Sequence, residues 1–473
     1  MNLRRALIVS ASLALTGCLV GPDFEPPPSS APNAWRAPLA SGLSAEAPTE
    51  DEIARWWEAL GDPLLVELEQ RAAAANRDIA SAQARLREAR ARRSGARAGL
   101  FPNSRGGATA SQSDGSGALS AGINLGAREL YDVSFDASWE IDLFGGLRRG
   151  LEAAKADLAA SAANLAGVHV SVAAEVADAY VTLRAQQQRL ALSEENARAQ
   201  AETLALKRWR SAAGLTTELD VEQARANLAQ TQAAIPQLRT AVALNETRLA
   251  VLVGEPPGAL AQQLAAPAKV PAPPERIAVG VPAAALARRP DVRAAERQLA
   301  AETARIGVAK ASALPRLTLT GSVGVESLTT GDLFTSAAKT TSVAAGLSQV
   351  LLDFGRVKAQ IDAQKAVRDR ALAELEGTLL GALKEVEDAL VAFAQEEARR
   401  DALAEAANAA QRAAALSRDQ YAAGLVDFEA VLAAERALFT SQDQLAASEG
   451  EFAANLVRVY KALGGGWQNE ESL

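Results

Sequence analysis

The stretch YDVSFDASWEIDLF, residues 131–144, alternates apolar and polar side chains along its whole length. Successive side chains of an extended chain point to opposite faces, so this segment predicts a strand with one apolar face and one acidic face. A tilted membrane strand needs about 9–11 residues, and the segment is long enough to cross a bilayer. The sequence therefore predicts either a half-buried strand of a soluble sheet or a membrane strand. The acidic positions on the polar face include Asp132, Asp136 and Glu140.

The two halves of the chain repeat one another on either side of a Pro-rich stretch, residues 255–282. A separation of 213 pairs Pro102 with Pro315, and a separation of 210 pairs the motif Ala-Ala-Gly-Leu ending at residue 215 with the one ending at residue 425. Each half predicts a helix, two strands, a very long helix, a turn and a second long helix. The fold class is therefore mainly α, built from two internal repeats.

The longest predicted helix runs from about residue 146 to residue 210 and would rise about 100 Å at 1.5 Å per residue. Its apolar positions recur every seven residues at Leu151, Leu158, Leu165 and Val172. A repeat of this period is typical of a left-handed coiled coil, so the long helices are expected to pack side by side. Pro236 interrupts the following helix, and we expect a kink there.

Four predicted strands stand at equivalent places in the two halves. The first lies around residues 103–113 and has the weakest pattern, the second is the quoted stretch, a third follows Pro315, and a fourth spans residues 343–351. Four strands cannot close a barrel, and an open edge in lipid leaves N–H and C=O groups unpaired at several kcal/mol each. Three copies would supply twelve strands, enough to leave a lumen. The recurrence favours membrane strands with Asp132, Asp136 and Glu140 facing that lumen.

The N-terminus resembles an export signal. Arg4 and Arg5 precede a short apolar run, and Leu-Thr-Gly leads into Cys18, as in a bacterial lipobox. We expect cleavage after residue 17 and acylation of Cys18, by palmitate among other chains, which would anchor the mature chain in lipid. Leu19 follows the cysteine where an Asp would retain a lipoprotein at the inner membrane, so the outer membrane of a Gram-negative bacterium is the expected location. The alternative is an incidental cysteine.

Composition excludes several classes of function. The formal charge of −8 and the lack of a basic cluster argue against a nucleic-acid partner. His169 and Cys18 are the only histidine and cysteine, which leaves no set of zinc ligands, so no metal site and no cofactor are expected. The sequence contains no nucleophile motif and no phosphate-binding loop, so an enzyme is not expected.

Six blocks in order resemble one known family, the outer membrane efflux proteins or TolC-like outer membrane factors, and within it the NodT and OprM-like lipoprotein branch that serves RND-type efflux systems. The blocks are RWWEALGDPLLVELEQRAAAANRDIASAQARL (55–86), SWEIDLFGGLRR (138–149), RRPDVRAAERQL (288–299), LPRLTLTGSVG (314–324), LLDFGR (351–356) and YKALGGGW (460–467). The resemblance covers essentially the whole mature chain.

The resemblance implies a homotrimer with a twelve-stranded β-barrel, four strands per chain, continued by a coiled-coil periplasmic tunnel of α-helices. Partners would be outer membrane lipid, a periplasmic membrane-fusion adaptor and an inner membrane RND-type pump. The implied division is 1–17 signal peptide, 18–75 lipidated arm and first equatorial helix, 76–254 first repeat, 255–288 equatorial Pro-rich linker, 289–464 second repeat and 465–473 tail.

In the family, the tips of the helical hairpins meet the adaptor. The residues at those tips are Arg208, Gly214, Leu215, Arg418, Tyr421, Gly424 and Leu425. The alternative is that the two glycines only form turns and that the arginines at the tips only complement the dipoles of the helix C-termini. Relatives often carry an acidic ring that narrows the periplasmic opening, but Ala433 occupies the usual acidic position here. The substitute gate candidates are Asp427, Glu429 and Arg436, and the alternative for each taken singly is a solvated charge on a helix face.

The expected function is a passive exit duct for small molecules or drugs, powered by a pump elsewhere. Two alternatives stay open: the exit duct of a type I protein secretion system and a non-conducting periplasmic coiled-coil scaffold lipoprotein.

Overall fold

The structure is a computed structural model that describes residues 19–28, 32–37, 39, 42–114, 127–274 and 276–468. The predicted signal peptide 1–17, the acylation site Cys18 and the last five residues of the predicted tail lie outside the described residues. In chain order the elements are β1 (Leu43–Ser44), α1 (Glu50–Ala54), α2 (Pro63–Ala75), α3 (Arg77–Ala98), β2 (Asn103–Asp114), β3 (Ala127–Ile141), α4 (Gly146–Ala212), α5 (Glu218–Leu252), α6 (Ala261–Leu264), β4 (Ile277–Ala278), α7 (Pro282–Arg288), α8 (Pro290–Ala311), β5 (Arg316–Ser327), β6 (Lys339–Ser348), α9 (Arg356–Ala422) and α10 (Phe428–Ala462).

The helices confirm the internal repeat residue for residue. Helices α4 and α9 each contain 67 residues, α5 and α10 each contain 35, and α3 and α8 each contain 22. Their starting residues are separated by 210, 210 and 213 positions, which are the separations predicted from the sequence. The shared lengths follow from shared helix-ending signals, because each long pair ends and resumes at the same turn motif.

Of the predicted heptad positions on α4, Val172 is buried and Leu151, Leu158 and Leu165 are half-buried. Further along α4, Val176, Leu183 and Leu204 are buried, as are Leu375, Val386, Leu390 and Phe393 on α9. Helix α5 runs without interruption through Pro236. Thr240 Oγ1 donates a hydrogen bond to the Pro236 carbonyl at 2.9 Å, and the kink at this proline stays a prediction.

The chain forms two compact units, and each takes segments from both repeats. The first comprises residues 1–27, 85–162 and 294–376, and the second comprises residues 28–84, 163–293 and 377–473. The first unit contains the antiparallel sheet β2-β3-β5-β6. Within the described ranges, no helix combines the length and the apolarity that a membrane crossing requires.

The register of the sheet produces two chemically distinct faces. Opposite residues share a face, and Phe135 pairs with Val323, Trp139 with Leu319 and Ile141 with Leu317. On the other face, the polar pairs are Asp132 with Glu326, Asp136 with Ser322 and Glu140 with Thr318. The alternation predicted for residues 131–141 is therefore confirmed, and it extends across β5.

Two of the predicted strands, residues 131–144 and 343–351, start and stop earlier in the structure than predicted. Strand β3 begins at Ala127 and stops at Ile141, so residues 142–144 lie outside it, and β6 stops at Ser348, short of Leu351. At the end of β3, the Asp142 carboxylate accepts hydrogen bonds from the backbone N–H groups of Leu147 at 3.2 Å and Arg148 at 2.9 Å. The apolar alternation continues through these positions, but Asp142 instead supplies acceptors for N–H groups that have no partner in the first turn of α4.

The second unit contains the largest hydrophobic core, where α2 and parts of the four long helices meet. Trp56 is fully buried and stacks on Tyr460 with ring centroids 5.0 Å apart, and Phe393 stacks on Phe452 at 4.6 Å. Small residues let the helices approach closely, since a methyl group at Gly450 would clash with the Cβ of Ala185. Burial of these aromatic rings contributes about 1.5–3 kcal/mol each.

Candidate functional site: the paired hairpin tips

The first tip reverses the chain between α4 and α5 through a glycine in the left-handed region. Gly214 has φ of 73°, its N–H donates to the Ser211 carbonyl at 2.8 Å, and the Leu215 N–H donates to the Arg210 carbonyl at 2.8 Å. This pair of bonds is the Schellman motif, which satisfies carbonyls at the end of a helix. Gly214 is thus confirmed as the turn former.

The second tip, between α9 and α10, has the same geometry. Gly424 has φ of 75°, its N–H donates to the Tyr421 carbonyl at 3.0 Å, and the Leu425 N–H donates to the Gln420 carbonyl at 2.9 Å. A side chain at a left-handed position is strained, so glycine is the residue that this turn favours. The repeat therefore extends to the hydrogen bonds of its turns.

A polar side chain caps the helix that follows each tip. Thr217 Oγ1 accepts from the Asp220 N–H at 3.3 Å, and Asp427 Oδ1 accepts from the Ala430 N–H at 3.0 Å. A cap of this kind stabilises a helix start by about 1 kcal/mol. The carboxylate of Asp427, a predicted gate candidate, thus caps the start of α10. Glu429, two residues later in the first turn of this helix, is exposed.

Both tips present leucines to solvent. Leu215 is 69% exposed and Leu425 is 75% exposed, and Trp209 and Leu219 near the first tip are exposed as well. Leucines exposed at equivalent positions of two turns are not explained by packing within the chain, and clustered exposed apolar residues mark interaction surfaces.

Behind the turns lies a small hydrophobic cluster that is separate from the main core. Its buried members are Leu204, Val221, Ala224, Phe428, Val431 and Leu432, with Leu228 and Tyr421 packed against them. Residues from both hairpins contribute, so this cluster, which we call the tip core, joins one hairpin to the other.

A lysine is buried in the tip core. Only 2% of the Lys207 side chain is exposed, and its Nζ lies 3.3 Å from the centroid of the Phe428 ring. Nζ also donates to Tyr421 Oη at 2.8 Å and lies 3.8 Å from Asp220 Oδ2. A desolvated ammonium over an aromatic face gains about 2 kcal/mol or more. Lys207 therefore links α4 to both helices of the other hairpin and to α5.

Asp220 balances this charge. A hydrogen bond from the Thr216 hydroxyl and the attraction of the Lys207 ammonium together outweigh burial, and they hold the pKa of the Asp220 carboxyl below its ordinary value. The carboxylate is therefore ionised at neutral pH, next to a cation that cannot reach water. Arg210 adds a second donor to Tyr421 Oη at 3.2 Å.

The other predicted tip and gate residues do not converge on one point. Arg208 is exposed, whereas Arg418 Nε donates to Glu435 Oε1 at 3.0 Å along the second hairpin. Arg436 Nε donates to Asn227 Oδ1 at 2.8 Å, which connects α10 to α5. Among the predicted residues, Tyr421 is the one that belongs to the tip core.

The predicted lumen residues share one face of the sheet, as the register requires. Ser134 Oγ lies 3.1 Å from Asp132 Oδ1 and 3.3 Å from Asp136 Oδ2, and Glu140 occupies the same face further along β3. Asp132 stands opposite Glu326 across the strands. Like charges directly opposite each other are destabilising, so this face suits water and not a packed interior.

Reasoning from the sequence missed Lys207, Asp220 and Phe428. One signal was available for Lys207, because it follows the buried seam residue Leu204 by three positions and so falls on the same helix face. Which aromatic ring would meet it could not be read from spacing, since Phe428 comes from the other hairpin.

This chain is similar to proteins of one known family. The family model described as outer membrane efflux protein matches residues 68–255 and 281–465. The pyoverdine export outer membrane protein OpmQ of Pseudomonas putida is 33% identical over 473 residues, 98% of each chain. Nodulation protein T of Rhizobium leguminosarum bv. trifolii is 31% identical over 87% of each chain.

A solved structure of a channel protein has the same fold. The outer-membrane channel OprN superposes with a TM-score of 0.89 at 36% identity, over 95% of this chain and 100% of that one. The family consists of efflux ducts and is not an enzyme family. The chain therefore belongs to the outer membrane efflux protein family and resides in the outer membrane of a Gram-negative bacterium.

Proposed function

We propose that three copies of this chain form the exit duct of a tripartite efflux pump. Small molecules would pass passively from a periplasmic adaptor and an RND-type inner membrane transporter to the exterior. Efflux is named in the family and in several relatives, and the architecture of the sheet supports a duct.

The observation that carries the proposal is the sheet, which has two faces and two open edges. Among the described strands, β2 and β6 each pair on one side alone. An unpaired edge in lipid costs several kcal/mol for each exposed N–H or C=O group, so neighbouring copies must cover both edges. Three copies closing β2 against β6 give a twelve-stranded barrel with its apolar face toward lipid and a polar lumen.

The lumen of that barrel would be acidic at the level of β3. Asp132, Asp136 and Glu140 would each occur three times around it, and Glu326 lies beside Asp132. Rings of carboxylates attract cations and repel anions, so the open duct should prefer cations.

The exposed leucines of the tips are the proposed adaptor surface. Leu215 and Leu425 are exposed, and each donates one of the Schellman hydrogen bonds that close its turn. An apolar contact between them and the tips of adaptor hairpins would bury surface that now faces water. Arg208 and Arg418 would form its charged rim. Asp427, Glu429 and Arg436 are the proposed gate residues.

Acylation of Cys18 is the third part of the proposal, because Leu-Thr-Gly before this cysteine resembles a bacterial lipobox. It would anchor each copy to the outer membrane independently of the barrel.

Single-channel recording tests conduction. Purified trimers in a planar bilayer should conduct, and an Asp132→Asn/Asp136→Asn variant should lose part of its cation preference, whereas Glu246→Gln outside the sheet should behave as wild type. A folded, trimeric protein that never conducts would support the scaffold alternative and defeat the duct. Secretion of a protein substrate in place of small-molecule export would favour the secretion duct.

Crosslinking tests the adaptor surface. A photoreactive residue at position 215 or 425 should capture an adaptor in cells, while the same residue at Leu244, an exposed leucine on the flank of α5, should not. Equal capture at all three positions, or none at 215 and 425 in a strain with active export, would refute the assignment.

A further inference from the structure

The side chain of Arg149 is 2% exposed although it belongs to the first turn of α4. Its Nε donates to the Val20 carbonyl at 3.1 Å, and its Nη2 donates to the Gly21 carbonyl at 3.4 Å and to Asp23 Oδ1 at 2.7 Å. Nη1 donates to Glu152 Oε2 at 2.8 Å. A buried guanidinium is costly unless it is paired, and three of these four bonds go to the N-terminal arm.

Two glycines allow the arm to lie this close. Gly21 has φ of 104°, and a Cβ there would lie 2.5 Å from Gly307 Cα. A Cβ on Gly307 would lie 2.7 Å from the Val20 carbonyl oxygen and 2.6 Å from Arg149 Cγ. Neither position has room for a methyl group, so the arm and α8 cross backbone against backbone.

The arm also covers the turn between β3 and α4. The Val20 N–H donates to the Phe144 carbonyl at 3.2 Å, and Leu19 packs on Gly145, where a Cβ would lie 2.6 Å from Leu19 Cδ1. Residues 19–23 are therefore fastened by the guanidinium, by the glycine crossing and by this backbone bond.

The second repeat provides an internal comparison. Phe354 and Gly355 correspond to Phe144 and Gly145, yet Phe354 is 94% exposed, and Ala359 stands where the first repeat has Arg149. The equivalent strand-to-helix turn can thus be formed without an arm or an arginine. The arrangement around Arg149 is an addition to the first repeat, which is the repeat next to the chain's N-terminus.

We propose that Arg149, Gly21 and Gly307 form a clasp whose function is to position the acylated N-terminus beside the end of the sheet. The inference rests on the proposed acylation of Cys18. Consecutive Cα atoms are about 3.8 Å apart, so acyl chains on the residue that precedes a clasped Leu19 would be attached next to the β3–α4 turn. If the clasp did not hold the arm and the chain were free up to residue 27, the segment from residue 18 to residue 27 could extend by about 30 Å. That distance is about the thickness of the hydrocarbon core of a bilayer.

Clasping thus makes the lipid and the sheet one membrane-attachment unit. Acyl chains held at the end of the strands enter the bilayer where the strands must enter it, and this proximity raises the effective concentration of membrane around an unclosed sheet. Arg149 is a positioning residue in this scheme and takes no part in conduction.

The first experiment measures docking by hydrogen exchange on the full-length acylated protein. The peptide containing Val20 should exchange at least tenfold faster in Arg149→Met and in Gly307→Ala than in wild type. Arg305→Met, which removes an arginine of α8 that bonds Asp157 and Glu302, should leave that peptide protected. Arg149→Lys, which keeps the charge, should restore part of the protection. Unchanged exchange in both clasp variants would overturn the proposal.

The second experiment separates positioning from mere stability by a double-mutant cycle. Assembly is read as the fraction of SDS-resistant trimer in the outer membrane, with and without acylation; the unacylated form combines Cys18→Ser with a non-lipoprotein signal peptide. Arg149→Met should lower that fraction at least threefold in the acylated protein and have no further effect in the unacylated one. An equal loss in both backgrounds would mean a structural role alone and would overturn the proposal.

These outcomes are independent of the proposed duct. Assembled trimers of Arg149→Met should conduct as wild type does. A wild-type protein that does not conduct defeats the duct and leaves the clasp to be judged by exchange and assembly.

Discussion

Replacing Lys207 by methionine tests how the two hairpins are joined at their tips. Methionine keeps most of the buried stem and removes the ammonium that lies 3.3 Å from the Phe428 ring centroid and 2.8 Å from Tyr421 Oη. The cation–π contact contributes about 2 kcal/mol and the charged hydrogen bond about 1.5–3 kcal/mol, against which the recovered desolvation cost of the ammonium must be set. We expect a net loss of about 2 kcal/mol, or roughly a thirtyfold increase in local opening.

Native-state hydrogen exchange on peptides that contain the two turns measures that opening directly, because tips and loops open locally without global unfolding. Arg208→Met is the matched control, since it removes an exposed cation from the next position and should change opening by less than about 0.5 kcal/mol. Equal effects of the two substitutions would show that the burial of Lys207 is irrelevant to the joint.

A cycle with Phe428→Leu isolates the pair. If the ammonium binds the ring face, Lys207→Met and Phe428→Leu should show a coupling energy of about 1–2 kcal/mol, because each removes the same contact. Coupling below about 0.3 kcal/mol would refute the cation–π interaction while leaving the hydrogen bond to Tyr421 as the remaining explanation of the single variant.

Three further predictions concern stability. Burial raises the pKa of Glu69 well above its ordinary value of 4.5, so the unfolded chain releases this proton first as the pH rises. The free energy of unfolding should then fall by about 1.4 kcal/mol for each further pH unit until the carboxyl ionises in the folded protein too, and Glu69→Gln should abolish that slope in denaturant titrations across pH. Gly424→Ala should lower the free energy of unfolding by about 1 kcal/mol, because residue 424 adopts a left-handed conformation. Gly377→Ala should raise the free energy of unfolding by about as much, because residue 377 lies inside α9 with open space around it. A thermal-shift ranking in the opposite order would contradict this prediction. Gly450→Val should lower the melting temperature markedly more than Ala185→Gly, because only the valine forces α10 away from α4.

The sequence by itself determined the features that depend on local periods. Helix lengths followed from heptads and from Gly214 and Gly424, because an α-helix and a left-handed turn are specified by residues within one or two turns of each other. The alternation in residues 131–141 likewise predicted a two-faced strand, because side-chain direction in a strand depends on parity alone. Because each motif occurs once in each half, the separations of 210 and 213 residues between equivalent positions followed from the sequence alone.

Only the tertiary structure decided which side chains meet across the chain. Lys207 lies under Phe428, and Arg149 holds residues 20–23, through contacts between segments more than a hundred residues apart in the sequence. It also decided where β3 ends, since Asp142 continues the strand pattern but bonds the first turn of α4. Such choices are set by competition among distant partners for the same hydrogen bonds and the same space, and no local period contains that information.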